Sequence, residues 1–198
     1  GADQIKIMAG GGAASPTDPL DATQFTLEEI AAAVYEANVV KKPVMAHVYI
    51  PEGIKNCVDA GVRSIEHGNF LDEESAFMMK EKGMFLVPTL SAYDIMSRLG
   101  KEQGNSQVVI DKINYAKGAA PQGVELADSV GVSIASGADV FGVNADKKAL
   151  EIVLKAEIIG PLKALISATR TNAELVGMGD DLGTIETSKI ADLIVVDG

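Results

Sequence analysis

The chain has 198 residues, 47% of them hydrophobic, and a formal net charge of −11. Its length and apolar content suit one buried core, or one and a fraction, and exclude a disordered chain. The acidity argues against nucleic acid or an anionic membrane as partner, because both are bound through clustered Lys and Arg.

Cys57 is the single cysteine, so no intrachain disulfide can form. It falls in the helical pattern Ile54, Val58 and Val62, which predicts a buried, unreactive thiol. No apolar run approaches the ~20 residues that span a bilayer. No signal-peptide pattern opens the chain, and a cytoplasmic location is expected. Gly1-Ala2-Asp3 runs straight into a strand-like segment, and the last residues stop just after another. The expectation is a chain that begins and ends inside a larger protein, whose missing part could have carried a signal.

In chain order, residues 4–9 read as a short strand, followed by a Gly/Pro-rich loop over 10–25. Thr26 caps a helix and Glu29, three residues later, completes a capping box; Ile30, Ala33, Val34 and Ala37 form its apolar face. Residues 43–48 read as strand, 51–60 as helix from Pro51, 63–67 as strand, 72–82 as helix after Asp72, and 84–90 as strand. Residues 92–130 read as helical with a break near 100–106, 132–138 as the fifth strand, and 147–158 and 161–177 as helices. Strands apolar on both faces and alternating with helices predict an α/β fold with a covered parallel sheet. Five βα units are too few for a closed eight-stranded barrel. The tail departs from this rhythm: 183–186 and 191–196 read as two strands around the turn Thr187-Ser188-Lys189, part of a separate small β domain.

The two histidines end consecutive apolar runs, Pro43-Val44-Met45-Ala46-His47 and Val62-Arg63-Ser64-Ile65-Glu66-His67, twenty residues apart. In a parallel βα array that spacing brings both imidazoles to one sheet edge, where such folds keep their sites. Asp139, closing Ser136-Gly137-Ala138-Asp139, adds a carboxylate at the same kind of position. Zn²⁺ and similar ions take these donor types. Each residue also has a plainer reading, His47 and His67 as satisfied core or surface groups and Asp139 as a turn residue or helix cap. Lys6 on the first strand would ordinarily extend to solvent; it becomes a metal ligand only when CO₂ converts its amine to a carbamate. Gly10-Gly11-Gly12 lacks the Gly-Lys-Ser/Thr that completes a phosphate loop, which leaves an active-site loop as the better reading. Tyr49, two residues beyond His47, reads as a substrate hydrogen-bonding group or a packing residue.

Gln4-Ile5-Lys6-Ile7-Met8-Ala9-Gly10-Gly11-Gly12, Ala46-His47-Val48-Tyr49, Ser64-Ile65-Glu66-His67-Gly68, Val87-Pro88-Thr89-Leu90, Ser136-Gly137-Ala138-Asp139 and the closing Lys189-Ile190-Ala191-Asp192-Leu193-Ile194-Val195-Val196-Asp197-Gly198 together resemble the metal-dependent amidohydrolase superfamily. The similarity is to its imidazolonepropionase-like branch of prolidases (Xaa-Pro dipeptidases) and Xaa-Arg/Lys carboxypeptidases. It implies a (β/α)8 TIM barrel of which strands four to eight are present, residues 1–178 forming a partial metal-dependent hydrolase barrel and 179–198 part of a β-sandwich domain. By the same resemblance Lys6 is a carboxylated lysine, His47, His67 and Asp139 are further metal ligands, and Asp139 is also the catalytic proton carrier. Two divalent ions, taken as Zn²⁺, would activate a hydroxide for hydrolysis of dipeptides or N-acyl amino acids at the amide nearest the free carboxylate. The family's first-strand His-X-His pair has no counterpart in these residues. The competing expectation is a catalytically silent barrel fragment or assembly module. On either account the sheet would be completed by a missing N-terminal part or by another copy in a homo-oligomer.

Overall fold

The computed structural model describes residues 1–196. Five parallel strands, β1 (Ile5–Met8), β2 (Val44–Val48), β3 (Ser64–His67), β4 (Phe85–Val87) and β5 (Ser133–Ile134), lie side by side in sequence order. Helices α1 (Leu27–Val39), α2 (Pro51–Ala60) and α3 (Glu73–Glu81) connect the first four. The crossover from β4 to β5 uses two helices, α4 (Leu90–Leu99) and α5 (Gln107–Val130), and α6 (Leu150–Ile159), α7 (Pro161–Ala168) and α8 (Arg170–Leu175) follow. Among the described residues no helix is long and apolar enough to cross a membrane.

The helix boundaries follow local chemistry. The Glu29 N–H donates to Thr26 Oγ1 at 3.3 Å and the Thr26 N–H to Glu29 Oε2 at 2.9 Å, closing the expected capping box on α1. Such a cap contributes about 1 kcal/mol. Pro51 sits in the first turn of α2, and Gly61 ends it in the left-handed conformation at φ 85°. The face of α2 carrying Ile54, Cys57 and Val58 is buried, and burial pushes the Cys57 thiol up to about 12.

Strand register separates the two faces of the sheet. Val44, Ala46, Val48, Ile65, Leu86 and Ile134 face the helices and are buried in one apolar core. On the opposite face Met8, His47, Glu66 and Val87 form one row across β1 to β4, and Lys6, Met45, Ser64, Phe85 and Ser133 form the row beneath it. Neither β1 nor β5 has a second neighbour among the described residues, so the sheet is open.

Three expectations are corrected. The strand read at 132–138 pairs only over Ser133–Ile134; beyond it, backbone groups bond mainly to side chains. The strand read at 84–90 ends at Val87, because Thr89 turns to φ 52° and α4 begins at Leu90. The strands read at 183–186 and 191–196 are not formed among the described residues. A two-stranded ribbon alone is marginal in water, and the backbone bonds go elsewhere: the Ile190 N–H donates to Asp181 O at 2.9 Å, and Lys189 Nζ holds Gly179 O at 2.7 Å and Thr184 Oγ1 at 2.6 Å. Ile194 and Val195 are 90% and 99% exposed, so among the described residues no second layer covers this tail. The expected strand ends at 196; Asp197 and Gly198 lie outside the described residues.

Candidate active site

A cleft of about 490 Å³ opens at the carboxyl end of the strands. The loop after β1, His47, Tyr49, His67, Tyr93 and Asp139 line it. His47 reaches it by simple alternation along β2. His67 does not: its neighbour across the ladder is Val48, which faces the helices. A φ of 77° at His67, followed by 61° at Gly68, turns its ring to within 4.5 Å of the His47 ring, centroid to centroid. The turn is anchored from behind, where Asn69 Nδ2 donates to Ala116 O at 2.8 Å. Of the five non-glycine residues with positive φ among the described residues, three (His67, Thr89 and Asp139) cluster at this end of the sheet. Strained backbone of this kind persists where surrounding structure over-determines it, and it concentrates at functional sites.

Each imidazole has one nitrogen bonded to protein. His47 Nε2 lies 2.8 Å from the carbonyl oxygen of Gly11, which can only accept, so the ring's proton is on Nε2 and Nδ1 is bare. His67 Nδ1 pairs with Thr89 Oγ1 at 2.6 Å, and Nε2 has no partner among the described residues. Burial lowers the pKa of His47 from its ordinary value, and the Lys6 charge adds to the effect. Burial, then the His47 and Lys6 charges, hold His67 well below it. Both rings are therefore neutral at neutral pH, the form that ligates metals, and each is oriented by an oxygen on its other nitrogen as metal-bound imidazoles commonly are.

The loop over 10–25 is built for that contact. A Cβ on Gly11 would stand 1.7 Å from Pro19 O, so only glycine lets the loop fold back on itself. Lys112 Nζ, reaching from α5, donates to Gly12 O at 2.9 Å and to Asp18 O at 2.6 Å. No helix begins at the glycines, and the loop lines the cleft.

Tyr49 stacks on His67, with ring centroids 5.2 Å apart and planes 20° apart, and burial raises its pKa. Asp139 lies on the cleft wall at φ 47° and is exposed. Lys6 is exposed on the inner face of β1, one row below His47, close enough for its charge to act on both histidines and on Glu66. Among the described residues no three His, Cys, Asp or Glu side chains form a metal-ligand cluster. The donor chemistry nevertheless fits a divalent ion: two neutral imidazoles, each with one ring nitrogen unbonded among the described residues, stand beside a cleft that a carboxylate lines.

Three residues of the site were not singled out from sequence. Glu66 is 5% exposed in the His47 row, accepts from Ser64 Oγ at 2.7 Å, and has its carboxyl pKa raised by burial. Its signal was the period of two that places it on the inner face of β3. Thr89 orients His67, and its left-handed backbone left no mark in the sequence. Tyr93, 1% exposed, carries a hydroxyl without a hydrogen-bond partner among the described residues; its helical position gave no hint of the cleft.

The sequence model of the Amidohydrolase family matches residues 1–198. A crystallised prolidase complexed with N-methylphosphonate-L-proline superposes with a TM-score of 0.96 at 43% identity, covering 100% of this chain and 48% of that one. A Xaa-Pro dipeptidase with methionine bound in its active site gives 0.90 at 36% identity, covering 96% of this chain and 48% of that one. Ochratoxinase from Aspergillus niger is 32% identical over 198 residues, 100% of this chain and 41% of that protein. The chain thus spans about half the length of these relatives.

Proposed function

Because the chain belongs to the Amidohydrolase family along its whole length, we propose that it contributes the carboxyl-side half of the active site of a metal-dependent hydrolase that cleaves the amide bond of dipeptides or N-acyl amino acids, as an Xaa-Pro dipeptidase does. The observation that carries this reading is the pair of neutral imidazoles, His47 and His67, held with ring centroids 4.5 Å apart and one ring nitrogen of each unbonded among the described residues. Likeness to a prolidase and to a Xaa-Pro dipeptidase supports the substrate class.

His47 Nδ1 and His67 Nε2 would hold divalent ions such as Zn²⁺, with Lys6 joining as a carbamate and Asp139 as a carboxylate. When bound, the ions supply Lewis-acid polarisation of the scissile carbonyl and acidify water. Asp139 accepts the proton of the attacking water and passes it to the departing nitrogen. Tyr49 hydrogen-bonds the substrate, and the loop over 10–25, clamped by Lys112, keeps bulk water from the reacting atoms.

The test is metal analysis and dipeptide hydrolysis by the full-length protein after reconstitution with Zn²⁺ and bicarbonate. Bound metal and cleavage of Xaa-Pro or N-acyl amino acids are expected. Asp139→Asn should leave metal binding largely in place and lose a factor of roughly 10²–10⁴ in turnover. Lys6→Ala should lose activity and regain part of it with added short carboxylic acids. Absence of both metal and hydrolysis would instead favour a silent assembly module.

A further inference from the structure

Glu151 and Lys155, one turn apart on α6, are 1% and 0% exposed, yet the chemistry above uses neither. Ionisable groups enclosed in helix packing are costly unless fully bonded, so their partners reveal what they hold. Lys155 Nζ donates to Ala135 O at 3.0 Å and to Ser167 Oγ at 2.8 Å, and that hydroxyl donates in turn to Ala164 O at 2.7 Å. Glu151 Oε2 accepts from the Ser91 N–H at 2.8 Å and lies 3.0 Å from Ser91 Oγ, whose single proton is shared between it and Ala138 O at 3.1 Å, while Glu151 Oε1 has no hydrogen-bond partner among the described residues.

These bonds converge on one segment. Sheet pairing stops at Ile134, five residues before Asp139. The Ala135 N–H still donates to Leu86 O at 2.8 Å, while its carbonyl goes to Lys155. The Ser136 N–H donates to Asn172 Oδ1 at 2.7 Å and its carbonyl accepts from Asn172 Nδ2 at 2.9 Å. The Ala138 carbonyl faces Ser91. Side chains from α4, α6 and α8 therefore replace the ladder that a longer β5 would have supplied, and they stop at the residue before Asp139, whose left-handed backbone must be imposed from outside.

We propose that Lys155, with Ser91 and Asn172, is a positioning residue that fixes the backbone of residues 135–138 and thereby holds the Asp139 carboxylate over the histidine pair. The proposal rests on the reading of Asp139 as the proton carrier. Lys155 touches neither substrate nor metal; it acts through a carbonyl four residues away.

The experiment compares Lys155→Met, Ser91→Ala and Asn172→Ala in the full-length, metal-loaded protein, measuring kcat, KM, metal content and amide hydrogen exchange over residues 135–139. The expected result is exchange about tenfold faster in that segment, because local opening becomes easier. With it should come a kcat loss of about 10- to 10²-fold, as for a reacting group displaced by about 1 Å, while KM stays within about twofold and metal content is unchanged. Unchanged exchange, or faster exchange with wild-type kcat, would overturn the proposal. Should Lys155→Met not fold, the same outcomes read from Ser91→Ala and Asn172→Ala decide it. Asp139→Asn separates the two readings: wild-type turnover there removes the assigned role of Asp139, whereas a dead Asp139→Asn beside a fully active Lys155→Met removes only the positioning role.

Discussion

The two buried histidines act on stability. In the unfolded chain both titrate near their ordinary value of about 6.5. In the fold, burial lowers both, His67 the further. Below about pH 6.5 the unfolded state takes up protons that the folded state refuses, so the pair's contribution is complete above that pH and is lost as pH falls towards the folded values. Each pKa unit of depression amounts to about 1.4 kcal/mol. Glu66, raised by burial, works in the opposite direction, which makes a comparison with a variant necessary. The unfolding temperature of the metal-free protein should fall between about pH 7 and 5, and less steeply in His67→Gln. Parallel profiles for the two proteins would contradict this account.

At the scale of elements, the apolar runs and helix caps were legible because they record local physics: the Thr26–Glu29 box, Pro51 at the start of α2 and the periods of β1, β2 and β3 lie where the structure has them. Backbone strain was not. Nothing in Glu66-His67-Gly68 signals that His67 breaks the strand's alternation, and nothing in Ala135-Ser136 signals that a lysine on α6 ends the ladder early. The tail misled because its apolar alternation encodes a strand only when a neighbouring strand is present to accept its hydrogen bonds. The loop after β1 shows how strongly an element can depend on one residue. Gly11→Ala places a methyl against the Pro19 carbonyl and must shift the Gly11 carbonyl off His47 Nε2. A loss of about 1–3 kcal/mol is expected from the overpacking, with metal affinity reduced about 10- to 100-fold as the orienting bond goes. Thermal unfolding and metal titration measure the two effects separately; unchanged metal affinity would show that the carbonyl does not orient the ring.

At the scale of the molecule, the inner face of the sheet carries Met8, 49% exposed, and the cleft wall carries Phe141, 82% exposed. Apolar surface left in water forfeits about 25 cal/mol per Å². A few hundred Å² is thus a sizeable share of a typical stability of about 5–15 kcal/mol. The open edges of β1 and β5 add unpaired backbone groups that invite further strands. The 198-residue chain by itself is expected to associate in sedimentation, with β1 poorly protected from hydrogen exchange until it does. A compact monomer with a strongly protected β1 would contradict this.

The parallel sheet also divides the molecule into two ends with different freedom to change. Lys6, His47, His67 and Asp139 come from four separate βα units; His47, His67 and Asp139 are delivered near or beyond the carboxyl end of their strands, and Lys6 lies one row below on the same face. The turns that feed the strands, at 40–43, 61–63 and 82–84, lie at the other end. Residues inserted there would lengthen a loop at small entropic cost, since closure cost rises slowly with length, and would move no group of the cleft. Inherited variation in length should therefore collect on that side, with the carboxyl side varying in side chains and keeping its backbone path.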